Sequence, residues 1–467
     1  MSLFPRRPLI TGPGKVVWVA ALLAAAGAVV ACAGGVSPGP ATSAPGSDRV
    51  PGVTATDAPP VEAPPPALDP VRVLEERLAT GEVELAWDSV RGYLPSVLEA
   101  LDIPVWSQTL VFSRTSFQTD RVAPWAPRAL YFNDDVYLGW VQEGPIMELV
   151  SMTPQDGARF YSVIQQPDHP PRFNRESDTC LLCHESRITE GVPGLIMRST
   201  LTDRLGYPVT QFHTGSTRDQ TPFEARWGGW YVTGTHGEAS HAGNLRSTEL
   251  YEDIIFPDRH AAELDKRAGA NQSSLSQYFD VTPYLTPHSD LVALMVLAHQ
   301  VRVHNLMELV RSSGAAAGGA STIQRAGARY LPITQPASGS SLDRLMRAIL
   351  FADEVDLEGP VTGTSEFTRE FPRVGPLDQA GRGLREFDLT TRLFRYPVSY
   401  LIYTPSFDAL PRFARDYVYD GILEALTLDR LPDAFAHLRA SDRTAILEIV
   451  SQTKPDFARR ADTATGR

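Results

Sequence analysis

The chain has 467 residues, 43% hydrophobic and 21% charged, which suits a globular protein with a sizeable core. A formal net charge of −12 leaves no basic stripe to displace counterions from phosphates, which argues against unaided nucleic-acid binding. The three cysteines, Cys32, Cys180 and Cys183, are too few for a disulfide framework, so packing has to hold the fold.

The first stretch is a targeting segment rather than part of the fold. Arg6, Arg7 and Lys15 come before or at the edge of an uncharged, mostly apolar run from Val16 to Val30. It closes on Val29-Val30-Ala31-Cys32, which resembles the bacterial lipobox, whose cysteine is lipidated and becomes the first residue of the mature protein. On that resemblance residues 1–32 are a signal peptide ending at the lipidation site Cys32, and the rest is an extracytoplasmic, periplasm-facing lipoprotein anchored in a membrane. A non-acidic residue at Ala33 favours the outer membrane on the same resemblance. The alternative is an uncleaved anchor, because the apolar run sits at the lower edge of spanning length. Residues 33–69 hold nine prolines between Pro38 and Pro66 and few large apolar side chains. Such a composition cannot offset its ordering entropy and reads as a disordered tether.

The folded body starts at Asp69-Pro70, with aspartate as cap and proline in the first turn of a helix through Val73, Leu74 and Leu78. Helical character returns from Val90 to Leu101. Strands are expected over Thr109 to Ser116, Ala129 to Gln142, Ile146 to Met152 and Ala158 to Gln165, with turns at Asn133-Asp134-Asp135 and Glu143-Gly144-Pro145. Residues 70–165 are thus a helix plus β segment. Residues 166–312 are loop-rich as far as 250, then carry a helix from Thr286-Pro287 to about Arg311, apolar on nearly every side between Leu291 and Ala298 and therefore buried. After the small-residue break Gly314 to Ser321, residues 322–460 are mostly helical, over Leu342 to Ala352, Pro411 to Leu426 and Ser441 to Val450, with extended pieces near Tyr396 to Tyr403. The fold class is α+β, and no linker divides 70 from 460, so these parts can form one integrated domain.

The chemistry concentrates at Cys180-Leu181-Leu182-Cys183-His184. Two thiols one helical turn apart can each add to a porphyrin vinyl group, and the next residue then presents an imidazole to the iron. Three other readings compete. A thioredoxin-like dithiol needs a βαβ context that the flanks lack. A zinc site could recruit His236 and His241, but 52 residues separate Cys183 from His236, far more than a compact finger allows. A plain disulfide leaves the adjacent histidine unexplained, a coincidence at roughly one position in forty.

The motif resembles that of c-type cytochromes. The resemblance implies one covalent haem c, with Cys180 and Cys183 as attachment points and His184 as proximal iron ligand. The small all-helical cytochrome fold is not evident around it. Over a longer span, Tyr131-Phe-Asn-Asp-Asp135, Arg226-Trp-Gly-Gly-Trp230-Tyr-Val-Thr-Gly-Thr-His236, Leu294-Met-Val-Leu-Ala-His299 and Tyr396-Pro-Val-Ser-Tyr-Leu-Ile-Tyr403 resemble a family of large exported bacterial mono-haem proteins with no established activity.

The sixth iron ligand decides between electron transfer and catalysis. His241, 57 residues beyond His184 in a glycine-containing loop, is the first candidate by spacing, with His236 behind it. His299 shares an apolar stripe with Val292, Met295, Val303 and Leu306 and reads rather as a hydrogen-bonded core histidine. Met197, in Pro193-Gly-Leu-Ile-Met197, is a thioether candidate whose alternative is plain packing. Trp227, Trp230 and Tyr231 either wall the haem or are ordinary core aromatics. Arg172, Arg175 and Arg187 flank the motif as propionate partners or as solvated arginines.

The leading function is electron transfer outside the cytoplasm, with a redox protein or small-molecule donor or acceptor as partner, the membrane reached through the lipid, and no nucleic acid. The second is a haem-dependent oxidoreductase, peroxidase- or oxidase-like, with an open or displaceable sixth position and His236 or His241 as acid and base. A body this large, for a carrier, favours it. The third is a sensor or scaffold lipoprotein whose haem only stabilises the fold.

Overall fold

Asp69 caps the first helix as the sequence expects: its Oδ1 accepts the Val71 N–H at 3.0 Å, and Pro70 fills the first turn. From there the computed structural model describes residues 69–168, 170–209, 215–218, 220–245, 266–316 and 330–465. All of these belong to one compact unit, Pro64–Arg467. The expected signal peptide with Cys32, the expected tether before Asp69 and residues 317–321 of the small-residue break lie outside the described residues.

Helices α1 (Pro70–Ala79) and α2 (Leu94–Ala100) precede an antiparallel sheet of β1 (Thr109–Val111), β2 (Arg128–Phe132), β3 (Val136–Trp140), β4 (Ile146–Thr153), β5 (Gly157–Ile164) and β6 (Phe173–Glu176). The helical turn α3 (Leu181–His184) follows, then the small ribbon β7 (Arg198–Ser199) and β8 (Gly215–Ser216), and finally β9 (Trp230–Tyr231), which returns to the large sheet beside β1. The strand order is β6-β5-β4-β3-β2-β1-β9. Asn133 makes the β2–β3 turn, its Oδ1 accepting from Asp135 N at 3.1 Å and Val136 N at 2.8 Å. The strand at Thr109 is shorter than its pattern suggests: after Val111 the N–H groups of Phe112 and Ser113 both turn to the Gly229 carbonyl.

Period-two alternation then sorts side chains between two cores. Val136, Leu138 and Trp140 pack with α1, α2 and Tyr284 on one face, while Phe132, Tyr137, Met152 and Phe160 pack on the other. That second face meets the long helix α4 (Leu291–Ala316), whose residues Leu291 to Ala298 are all buried, as the apolar run requires. Among the described residues no helix is long and apolar enough to cross a membrane.

The C-terminal part is helical as expected, through α5 (Ser341–Ile349), α6 (Arg412–Thr427), α7 (Ala440–Thr453) and α8 (Pro455–Thr465), the last running past the expected end at 460. Buried carboxylates on α6 tie it together: Asp420 pairs with Arg460 at 2.6 Å, and Glu424 accepts the Ile333 N–H at 2.7 Å. The piece near Tyr396 to Tyr403 is not extended throughout. Ser399 accepts the Leu401 N–H and starts a short 3-10 turn, Tyr400–Tyr403, in which the Tyr400 hydroxyl donates to Gln300 of α4 at 2.6 Å.

Candidate functional site

Cys180 and Cys183 lie on one face of the α3 turn, closed by the His184 N–H donating to the Cys180 carbonyl at 3.0 Å. Leu181 packs on the core, whereas Leu182 is 81% exposed. Neither thiol is in a disulfide. Burial, with Glu176 and Glu148 nearby, pushes the Cys180 thiol up to about 11, the opposite of a reactive dithiol.

His184 is held from three directions. Its Nδ1–H donates to the Gly194 carbonyl at 2.8 Å, and the Gly194 N–H returns to the His184 carbonyl at 2.8 Å. Its ring lies 4.8 Å from that of Phe160 on β5. Asn305 of α4 fixes the segment beyond Gly194, its side chain exchanging two 2.8 Å hydrogen bonds with the backbone of Leu195. A Cβ at Gly194 would stand 2.7 Å from the Asn305 Oδ1, so the close approach needs glycine. The carbonyl partner sets the tautomer: Nδ1 carries the proton and Nε2 keeps its lone pair. Burial holds the His184 pKa below its ordinary value, which keeps the imidazole neutral.

Beside this turn lies a cavity of about 290 Å³, lined by Cys180, Cys183 and His184. Its floor is the second face of the sheet at Leu130, Gly139, Val150 and Phe160, and its other walls are Leu195, Met197, Trp230, Leu297 and Val301. Arg128, Glu148 and Arg198 add charge to this apolar lining. Arg128 pairs with Glu148 at 2.5 Å across β3, and only Gly139 leaves room, because a Cβ there would stand 2.1 Å from the Arg128 Nη2.

The sequence candidates separate on this geometry. Among the described residues Met197 is the single methionine of the cavity wall, and it is 2% exposed. His236 and His241 do not line the cavity; they form a buried pair with ring centroids 4.8 Å apart, against Phe223 and Trp227. His299 is a core histidine, its Nε2 bonded to the Ser399 hydroxyl at 2.8 Å and its ring stacked on Phe351. Of the aromatic run only Trp230 reaches the cavity, its Nε1–H donating to the Arg198 carbonyl at 2.6 Å. Tyr231 faces the other core, and its hydroxyl donates to the Pro124 carbonyl. Arg172, Arg175 and Arg187 are exposed and line no part of the cavity; Arg128 and Arg198, which the sequence reading passed over, do. Among the described residues no three His, Cys, Asp or Glu side chains group to hold a metal ion, so the zinc alternative finds no assembled ligand set. Comparison with protein families, curated proteins and solved structures gives no match.

The buried histidines are expected to make the fold acid-sensitive. Burial pushes His241, His299 and His304 each down to about 3 from 6.5. Unfolding exposes them to protonation, so the unfolded chain binds more protons below pH 6.5 and stability falls as pH drops towards 3. Asp135, raised by burial to about 7 from 3.8, acts in the opposite sense between those values. Three groups against one give a net loss: the urea midpoint at about pH 5 is expected below that at about pH 7.5. An equal or higher midpoint at the lower pH contradicts this.

Proposed function

We propose that the chain carries one haem c, attached through Cys180 and Cys183 with His184 as proximal ligand, and transfers electrons outside the cytoplasm. One observation carries this reading: a neutral imidazole, its Nδ1–H fixed on the Gly194 carbonyl and its Nε2 uncommitted, stands beside two free thiols on the wall of one apolar cavity. Proximal histidines are oriented by this kind of second hydrogen bond. The residues fit the group. Apolar walls would cover the porphyrin faces, and Arg128 and Arg198 would pair with its propionates. The bound haem would supply a one-electron ferrous–ferric couple. Trp230, Phe160 and Leu297 would keep that couple dry, which favours the ferrous state. The lipid at Cys32 would hold the protein at a membrane facing the periplasm, where a redox protein or small molecule exchanges electrons with it.

Protein matured in a cytochrome-competent host is expected to keep haem-dependent peroxidase staining on a denaturing gel; a colourless band sinks the proposal. For the sixth position the cavity wall favours Met197 over the spacing-based His241 and His236. Met197→Leu is expected to convert a low-spin spectrum to high-spin, while His241→Ala leaves it unchanged. The reverse pattern would restore the histidine.

The oxidoreductase reading keeps support from one feature: Ser113, Thr115 and Ser116 line the cavity and could bond a small polar ligand. Ready binding of cyanide or carbon monoxide by untreated protein would favour it; His236 and His241, away from the cavity wall, would not be its acid and base.

A further inference from the structure

Leu195, Met197 and Val301 border a second, smaller space of about 20 Å³, room for a single water. Thr217 lines it and is 4% exposed, and its Oγ1 has no hydrogen-bond partner. Glu190, Arg218 and Arg302 carry the lining onward into a polar cleft of about 580 Å³, completed by Gln220, Asp343, Arg344, Arg347 and Asp353. Four guanidinium groups face three carboxylates there, a surplus of one positive charge in a chain of net charge −12. Glu190 and Asp353 are engaged on arginines, whereas Asp343 lies against the Gly339 backbone and has no ion pair among the described residues. Glu190 takes a two-pronged grip from Arg344, 2.7 Å at Nη1, and Arg347 pairs with Asp353. Arg218 is exposed, makes no side-chain hydrogen bond or salt bridge among the described residues, acts on Glu190 through its charge alone, and stands where the small space opens into the cleft.

We propose that this cleft binds a small dianion, a phosphate or dicarboxylate group, with Arg218 as its main contact. The fork of a guanidinium matches either group with two parallel hydrogen bonds. The three carboxylates leave the pocket cationic enough to attract an anion yet stable while empty. Thr217, with an unused hydroxyl in the adjoining space, can reach the same ligand through one water. The proposal does not rest on the haem reading, although Leu195, Met197 and Val301 border both spaces.

Titration calorimetry at low ionic strength, with inorganic phosphate in one arm and succinate in the other, tests this on the full exported chain. At least one probe is expected to bind saturably, and which of the two binds identifies the head group. Arg218→Ala is expected to weaken binding about tenfold or more, the loss of one charged hydrogen-bond pair, and Arg218→Lys to recover part of it. Because Arg218 makes no side-chain hydrogen bond or salt bridge among the described residues and acts on Glu190 only through its charge, the alanine variant should melt close to the wild type when no probe is present. Binding of neither probe, or equal binding by Arg218→Ala, leaves only a network of ion pairs and overturns the proposal. Stained and colourless preparations are titrated in parallel, so failure of the haem reading shows on the gel and failure of the anion site in the heats.

Discussion

On the haem reading, a chain with both Cys180 and Cys183 changed to alanine is expected to lose all haem on denaturation, while each single variant keeps a reduced amount through its remaining thioether. The reason is the division of labour at the turn. Both thiols line the cavity, but Cys180 is partly packed on the core and Cys183 is exposed, so they hold opposite ends of one short helix. His184→Ala removes the imidazole and leaves both thiols. It is expected to stain on the gel but to show an altered, ligand-accessible iron spectrum, separating attachment from ligation. Pyridine haemochrome quantification reads both effects. Staining of the double variant at the wild-type level would mean that another group holds the cofactor.

The second large effect is expected at Asp290, far from any cysteine in sequence and fully buried. Its Oδ1 accepts the N–H groups of Val292 and Ala293, capping α4, while its Oδ2 accepts those of Thr364 and Ser365 and the Ser365 hydroxyl. One carboxylate thus joins the start of the central helix to a turn more than seventy residues later. Asp290→Ala strands several buried donors together and is expected to cost about 3–5 kcal/mol. Asp290→Asn should also cost more than about 2 kcal/mol, because its amide turns donors towards one of the two sets of N–H groups. Urea midpoints measure both. A shift for alanine below about 1 kcal/mol would show that water replaces the carboxylate cheaply.

Much of this fold is written locally. Asp69-Pro70, the Asn133 turn and the alternation through Tyr137, Leu138 and Trp140 each encode their element within a few residues. The Cys180-Leu181-Leu182-Cys183-His184 motif is equally local, five residues in a row. What surrounds it is not. Asn305, which fixes the segment beyond Gly194, lies 121 positions after His184, and Arg128 lies 56 positions before it. Neither carries a signal of its own, since an asparagine in a helix and an arginine opening a strand are common. Sequence neighbourhood misleads in the other direction too. Arg172, Arg175 and Arg187 flank the motif yet face solvent. His241 has a cytochrome-like spacing, but Asn244 and Asn271 anchor its loop on Val232, Gly237 and Gly269, so it pairs with His236.

The bare rim of the attachment turn has a bearing on the order of assembly. Leu182 and Cys183 stand in solvent, and both hydrophobic cores close without either of them. If haem is attached at this turn, a ligase could reach Cys183 on a polypeptide that has already folded, whereas Cys180, partly packed on the core, would need a local opening. On the haem reading, an unmodified precursor would accumulate as an intact, protease-resistant body awaiting its cofactor, rather than as a chain marked for degradation.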